Sequence, residues 1–210
     1  VKDKKSSEEI YKLMLDRSIM IIPRVDDNGK LIDYYHFIEL SNRIINFKRS
    51  FIDKDDSKTS SINKNDVNTV MVIGGAGYIG SVLVRKLLLE GYKVKVLDAL
   101  LYGEDSIKDL FTNSNFKLIR GDVRNTEVLL SSLKNVDAVF HLGEIVGDPA
   151  CALNDDFTLD VNFLSTKNII EICVLYGIRR MIFASSCSVY GSGDGILTEQ
   201  SDLNPVSLYA

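Results

Sequence analysis

The stretch Thr69–Gly91 constrains the fold more than any other part of the chain. Thr69–Ile73 (TVMVI) is a short, largely apolar run of strand type, followed without a spacer by Gly74-Gly75-Ala76-Gly77-Tyr78-Ile79-Gly80. Ser81–Glu90 then has helical periodicity through Leu83, Val84, Leu87 and Leu88, and Gly91 supplies the stop. Strand, glycine loop and helix stand in the order of a βαβ unit. Gly74 permits a tight turn, Gly77 a close backbone approach, and Gly80 close packing of helix on sheet.

The same pattern continues. Apolar runs at Lys93–Leu97, Phe116–Arg120, Val136–Leu142 and Arg180–Ala184 read as strands, and Glu104–Thr112, Thr126–Leu133 and Leu159–Tyr176 as helices. This predicts an α/β fold: a doubly wound parallel sheet of the Rossmann type over residues 69–210. A helix N-terminus behind a glycine loop points free N–H groups at an anion such as a pyrophosphate. Asp98 closes the second strand, 24 residues after Gly74, and suits a ribose 2′-hydroxyl. An acid there repels a 2′-phosphate, so NAD is expected rather than NADP. The competing reading is that the glycines serve only a tight turn. Gly121-Asp122-Val123, Gly143-Glu144 and Ser185-Ser186 each follow a strand, at the edge where open α/β sheets bind ligands.

Of 210 residues, 45% are hydrophobic and 26% charged, which excludes general disorder, a collagen-like fibre and a disulfide-stapled mini-protein. The net charge of −4 gives no electrostatic reason for nucleic acid or an anionic membrane as partner. Three cysteines (Cys151, Cys173, Cys187) without metal-ligand spacing fit a reducing compartment, and no metal is expected. No apolar run approaches the roughly 18–20 residues of a membrane span, and no signal peptide is evident, so the cytoplasm is expected. The sequence begins with Val1 and stops at Tyr209-Ala210, and both edges read as cuts in a longer protein.

Residues 69–210 resemble the extended short-chain dehydrogenase/reductase family, the NAD-dependent nucleotide-sugar epimerases and dehydratases. The resemblance rests on GGAGYIG, VLDALLYG, GDVRN, HLGEIVGDPAC, DVNFLSTKN, ASSCSVYG and NPVSLYA. It implies that Tyr78 and Ile79 touch the pyrophosphate through their backbone and that Asp98 holds the adenosine ribose. It also implies that Asp122 and Val123 flank the adenine, that Leu142 and Gly143 line the cofactor, and that Asn162 braces the strand ends. An ordinary helix-face asparagine is the other reading of Asn162. A nucleotide-sugar substrate and a homodimer are implied for the whole protein.

The family's chemistry needs a Ser or Thr, a Tyr and a Lys. Ser186 stands four residues before Tyr190 of SVYG, and Tyr209 lies in P-x-S-x-Y-A, 23 residues after Ser186. Phenols ionise near ~10, so a neighbouring cation is needed for Tyr209 to take a proton from a sugar hydroxyl. The family's lysine would come four residues after Tyr209, beyond the last residue, so this chain alone is expected to be inactive. Cys187 and Ser188 stand where the 4,6-dehydratases carry Asp-Glu, which disfavours dehydration and leaves epimerisation, or a related oxidation or reduction. A non-catalytic nucleotide sensor is the third possibility. Cys187 has no His nearby in sequence to make it a nucleophile, and His141 reads as a strand-end packing residue. The resemblance puts Asp148 and Cys151 where family members contact substrate or nicotinamide; the alternatives are a solvated loop residue for Asp148 and a buried small apolar residue for Cys151.

Residues 1–46 read differently. Ser6 and Glu9 are spaced as a capping box, a strand-like run extends from Ile19 to Pro23, Asp26-Asp27-Asn28-Gly29 is a turn, and Lys30–Tyr35 a second strand. IIPRVDDNGKLIDYY resembles the later part of a CBS motif, which implies an adenine nucleotide bound between paired copies; a small α+β appendage without ligand is the alternative. Residues 47–68 are polar and read as a linker.

Overall fold

The computed structural model describes residues 21–25, 31–36, 67–192 and 195–210. Strands β1 (Ile21–Val25) and β2 (Leu31–His36) pair antiparallel, with Ile22 opposite Tyr35 and an irregularity between Arg24 and Val25. Both expected N-terminal strands exist, the first shifted toward Val25. The expected helix from Ser6, the turn at 26–29 and nearly all of the linker lie outside the described residues.

The rest is a five-stranded parallel sheet: β3 (Thr69–Ile73), β4 (Lys93–Asp98), β5 (Phe116–Arg120), β6 (Ala138–His141) and β7 (Arg180–Phe183). The strand order is β5-β4-β3-β6-β7, so the chain leaves β3 toward one edge and returns beside it toward the other. The switch point therefore lies between β3 and β6, at the C-terminal ends of Ile73 and His141, where such sheets form a crevice.

Helices α1 (Tyr78–Leu89), α2 (Thr126–Leu133) and α5 (Ser165–Tyr176) cover the sheet, and short helices α3 (Asp148–Cys151) and α4 (Asp155–Thr158) lead into α5. The alternation along β3 shows how the layers form. Val70 and Val72 pack with Val84 of α1 and with Val94 and Val96, whereas Met71 and Ile73 pack with Leu129 and Leu133 of α2 and Ile169 and Ile172 of α5. A central strand buried on both faces must be apolar at successive positions, which explains the unbroken VMVI. Asn125 starts α2 by accepting from the Glu127 and Val128 N–H groups.

Two expected helices differ. Glu104–Thr112 is only a 3₁₀ turn over Lys108–Thr112, because Ile107 alone of this stretch is fully buried and cannot anchor an amphipathic face. Leu159–Tyr176 is interrupted: Leu159–Leu164 winds as a π-helix before α5 begins.

Candidate functional site

Gly74 turns the chain out of β3 with φ +78°, and a Cβ there would stand 2.7 Å from the backbone of Leu142 and Gly143. That contact closes the switch point, so the β3 and β6 ends touch through glycine. A Cβ at Gly80 would press on the Gly74 carbonyl and stand 2.8 Å from Gly75 Cα, so the first turn of α1 lies directly on the loop. α1 begins at Tyr78, earlier than the apolar periodicity indicates, with Gly77 as its N-cap. It has neither a side-chain cap nor an acid in its first turn. The first N–H groups of the helix therefore have no intrahelical or side-chain acceptor and face outward with a positive end. Tyr78 and Ile79 are exposed there.

Asp98 ends β4 beside this loop. Its Oδ2 accepts from Ala76 N–H at 2.9 Å and its Oδ1 from Leu100 N–H at 2.8 Å. This bracing of the loop is a second use of Asp98 that the spacing rule does not reveal. Each oxygen keeps lone-pair capacity for a ligand hydroxyl. Asp122 is held by Arg124, whose Nη2 reaches Oδ2 at 2.6 Å, and the hydrogen bonds from Arg124 keep its carboxyl below the usual carboxylate range. The Arg124 guanidinium in turn lies 4.5 Å over the Phe157 ring.

Two cavities meet along the crevice. One, of about 190 Å³, is lined by Asp98, Tyr102, Asp122, Val123, Leu142 and Gly143. The other, of about 880 Å³, brings Tyr78, Ile79 and Gly80 together with Ser186 and Tyr209. The expected cofactor-lining positions, together with Ser186 and Tyr209, thus border one continuous crevice, since Gly74 and Gly77 line both cavities, whereas Asp148 and Cys151 line neither. Ser186 Oγ accepts from Ser188 N–H at 3.1 Å, which orients the hydroxyl at the head of the 3₁₀ turn Cys187–Tyr190. Ser207 donates to Asp148, tying the Tyr209 segment to α3, so Asp148 is a brace in this structure. Cys151 is buried and donates to the Ile145 carbonyl, and burial pushes its thiol up. Asn162, in the π turn, accepts from Ile145 N–H at 2.9 Å and donates to its carbonyl at 2.8 Å, the strand-end brace expected of it.

The sequence places Glu144 at the ligand-binding edge of the sheet but assigns it no role. It lines both cavities with its side chain only 15% exposed, and burial pushes its carboxyl up to about 7. Thr166 Oγ1 lies 2.8 Å from His141 Nε2 and donates to Glu144 at 3.3 Å. His141 is fully buried at the end of β6, as expected of a strand-end packing residue, and burial pushes it down to about 4, which holds it neutral. A Glu directly after a strand-end Leu-Gly was the available signal. Among the described residues no group of three or more His, Cys, Asp or Glu could hold a metal ion, and no helix is long and apolar enough to cross a membrane.

Sheet order, glycine loop and switch-point crevice define a Rossmann-type α/β domain. Residues 70–210 match the model of the NAD dependent epimerase/dehydratase family, and the chain belongs to that family of enzymes. It is 31% identical over 169 residues to the sterol-4-alpha-carboxylate 3-dehydrogenase, decarboxylating, of Homo sapiens, covering 77% of this chain and 42% of that protein. Among solved structures it is similar to the UDP-Glc/GlcNAc 4-epimerase of Campylobacter jejuni (TM-score 0.64, 29% identity, 68% of this chain, 44% of that one). It is also similar to the Thermus thermophilus UDP-glucose 4-epimerase in complex with NAD (TM-score 0.61, 28% identity, 67% and 46%). The chain spans less than half the length of each.

Proposed function

We propose that this chain is the cofactor-binding part of an NAD-dependent nucleotide-sugar epimerase that works by transient oxidation of a sugar hydroxyl. The observation that carries the reading is that Ser186 and Tyr209 border the same cavity as the open N-terminus of α1. The residues fit the cofactor: the Gly74–Gly80 cradle is one that side chains would fill, and the N–H groups of Tyr78 and Ile79 suit a diphosphate. Asp98 takes the ribose hydroxyls and disfavours a 2′-phosphate, Asp122 and Val123 flank the adenine, and Leu142 and Gly143 form the floor. Bound NAD supplies a hydride acceptor. Tyr209, as phenolate beside a cation, takes the proton of the sugar hydroxyl. Ser186 orients that hydroxyl and donates to the carbonyl oxygen as it forms.

Cys187 and Ser188 offer no carboxylic acid for 4,6-dehydration. A dehydrogenase that releases its reduced cofactor is the second reading, favoured by the human relative. The complete gene product, incubated with UDP-glucose and catalytic NAD, separates the two. A mixture of epimers without accumulating NADH supports epimerisation, and stoichiometric NADH overturns it.

The same reading takes residues 1–46 as a partial CBS-like module for an adenine nucleotide, of which β1 and β2 are the described part, joined by the linker 47–68. The whole protein is then a homodimer acting on a nucleotide sugar.

A further inference from the structure

Neither the glycine loop nor the Ser186 and Tyr209 pair accounts for Glu144. This acid stands where the two cavities join, beside Gly74 and Gly77. Among the described residues no ion pair joins it to a lysine or arginine. Thr166 donates to Oε1, His141 Nε2 is 3.9 Å from the same oxygen, and no hydrogen bond within the described residues reaches Oε2.

Its surroundings are poor in positive charge. From β6 it meets His141, which burial keeps neutral; from α3, Cys151, whose thiol burial pushes up, lies within electrostatic reach of both Glu144 and Asp148, and Asp148 accepts from Ser207. On α5, Lys167 pairs with Glu171 at 3.7 Å. The crevice walls add Asp98, with a backbone N–H on each oxygen, and the Asp122–Arg124 pair. The phenols of Tyr78, Tyr102 and Tyr209 complete the walls. A dinucleotide filling both cavities has to cross the junction, and its middle is its charged part. A carboxylate at that place repels the diphosphate, whereas a carboxylic acid offers a donor while its other oxygen keeps the Thr166 bond.

We propose that Glu144 enters the dinucleotide site as a neutral carboxylic acid that donates to the diphosphate–ribose middle of the cofactor, so that cofactor binding takes up a proton. This rests on the reading of the crevice as an NAD site. With its carboxyl near 7 in the free protein, Glu144 is half ionised at neutral pH, and binding must first return the proton. Linkage then weakens NAD affinity by roughly tenfold from about pH 6 to about pH 8.

The test is calorimetry of NAD binding to this chain across that range, in buffers of differing ionisation enthalpy, which counts the protons taken up. The wild type is expected to lose affinity roughly tenfold with proton uptake rising toward one per site. Glu144→Gln, an uncharged isostere, is expected to bind at the alkaline end as tightly as the wild type does at the acid end, with no slope. A wild-type affinity that does not change with pH, or a Gln variant that keeps the slope, overturns the proposal alone. Absence of NAD binding at every pH overturns the cofactor reading and the proposal with it. Should the Gln variant fail to fold, seen by circular dichroism, the wild-type slope and its buffer dependence still decide.

Discussion

Replacing Glu144 by Gln should stabilise the folded chain at neutral pH and do so only where the carboxyl would be ionised in the unfolded chain. Burial raises this carboxyl from its ordinary 4.5 to about 7. Between those values the folded state holds a proton that the unfolded chain does not. The contribution is therefore fully present below the unfolded value and is lost as the pH rises through the folded one. Over that interval the loss amounts to about 3 kcal/mol, a large part of a domain's stability. His141 has the opposite sign: burial lowers it from 6.5 to about 4, so its contribution is lost as the pH falls through that interval. The two slopes cancel between about pH 4.5 and about pH 6.5 in the wild type. Burial alone depresses His141, so the Gln variant leaves its slope in place. Urea unfolding without cofactor, for both proteins across the pH range, isolates Glu144 in the difference. The variant should match the wild type at the acid end and exceed it by about 3 kcal/mol above neutrality. A difference that stays constant with pH would refute the buried, protonated carboxyl.

The remaining predictions concern the crevice walls. Gly80→Ala sets a methyl against the Gly74 carbonyl and Gly75 Cα, and should cost about 1–3 kcal/mol in thermal unfolding while weakening NAD binding. Asn162→Ala leaves the Ile145 N–H without its partner and its carbonyl with only the weak Cys151 thiol donor, and should cost about 1–3 kcal/mol by urea titration; a neutral result would remove the brace. Asp98→Asn should weaken NAD by roughly tenfold to a hundredfold in calorimetry and weaken NADP less.

The sheet was legible because its signals are local. An unbroken apolar run, the Gly74 turn, the close packing at Gly80 and the end of β4 at Asp98 are each visible within a few residues. Thr126–Leu133 was legible as a helix between two strand-like runs, and the structure adds Asn125 as its cap. What failed to show depends on contacts between distant segments. The π turn at Leu159–Leu164 exists where Asn162 reaches back to Ile145, a pairing that no 3.6-residue period reveals. The stretch Glu104–Thr112 has helical composition but buries Ile107 alone, and burial is decided by neighbours in space. Glu144 is an ordinary acid in the sequence; the meeting of β6, Thr166 of α5 and the glycine loop makes it a largely covered one.

The account stands on the crevice being an NAD site read by Asp98. Calorimetric titration of the folded chain with NAD and with NADP, on wild type and Asp98→Asn, tests this directly. NAD should bind the wild type at least about tenfold more tightly than NADP, and the Asn variant should narrow the gap by weakening NAD. A well-folded chain that binds neither nucleotide, or binds both equally, would contradict the account and leave the glycine loop as a turn that packs helix on sheet.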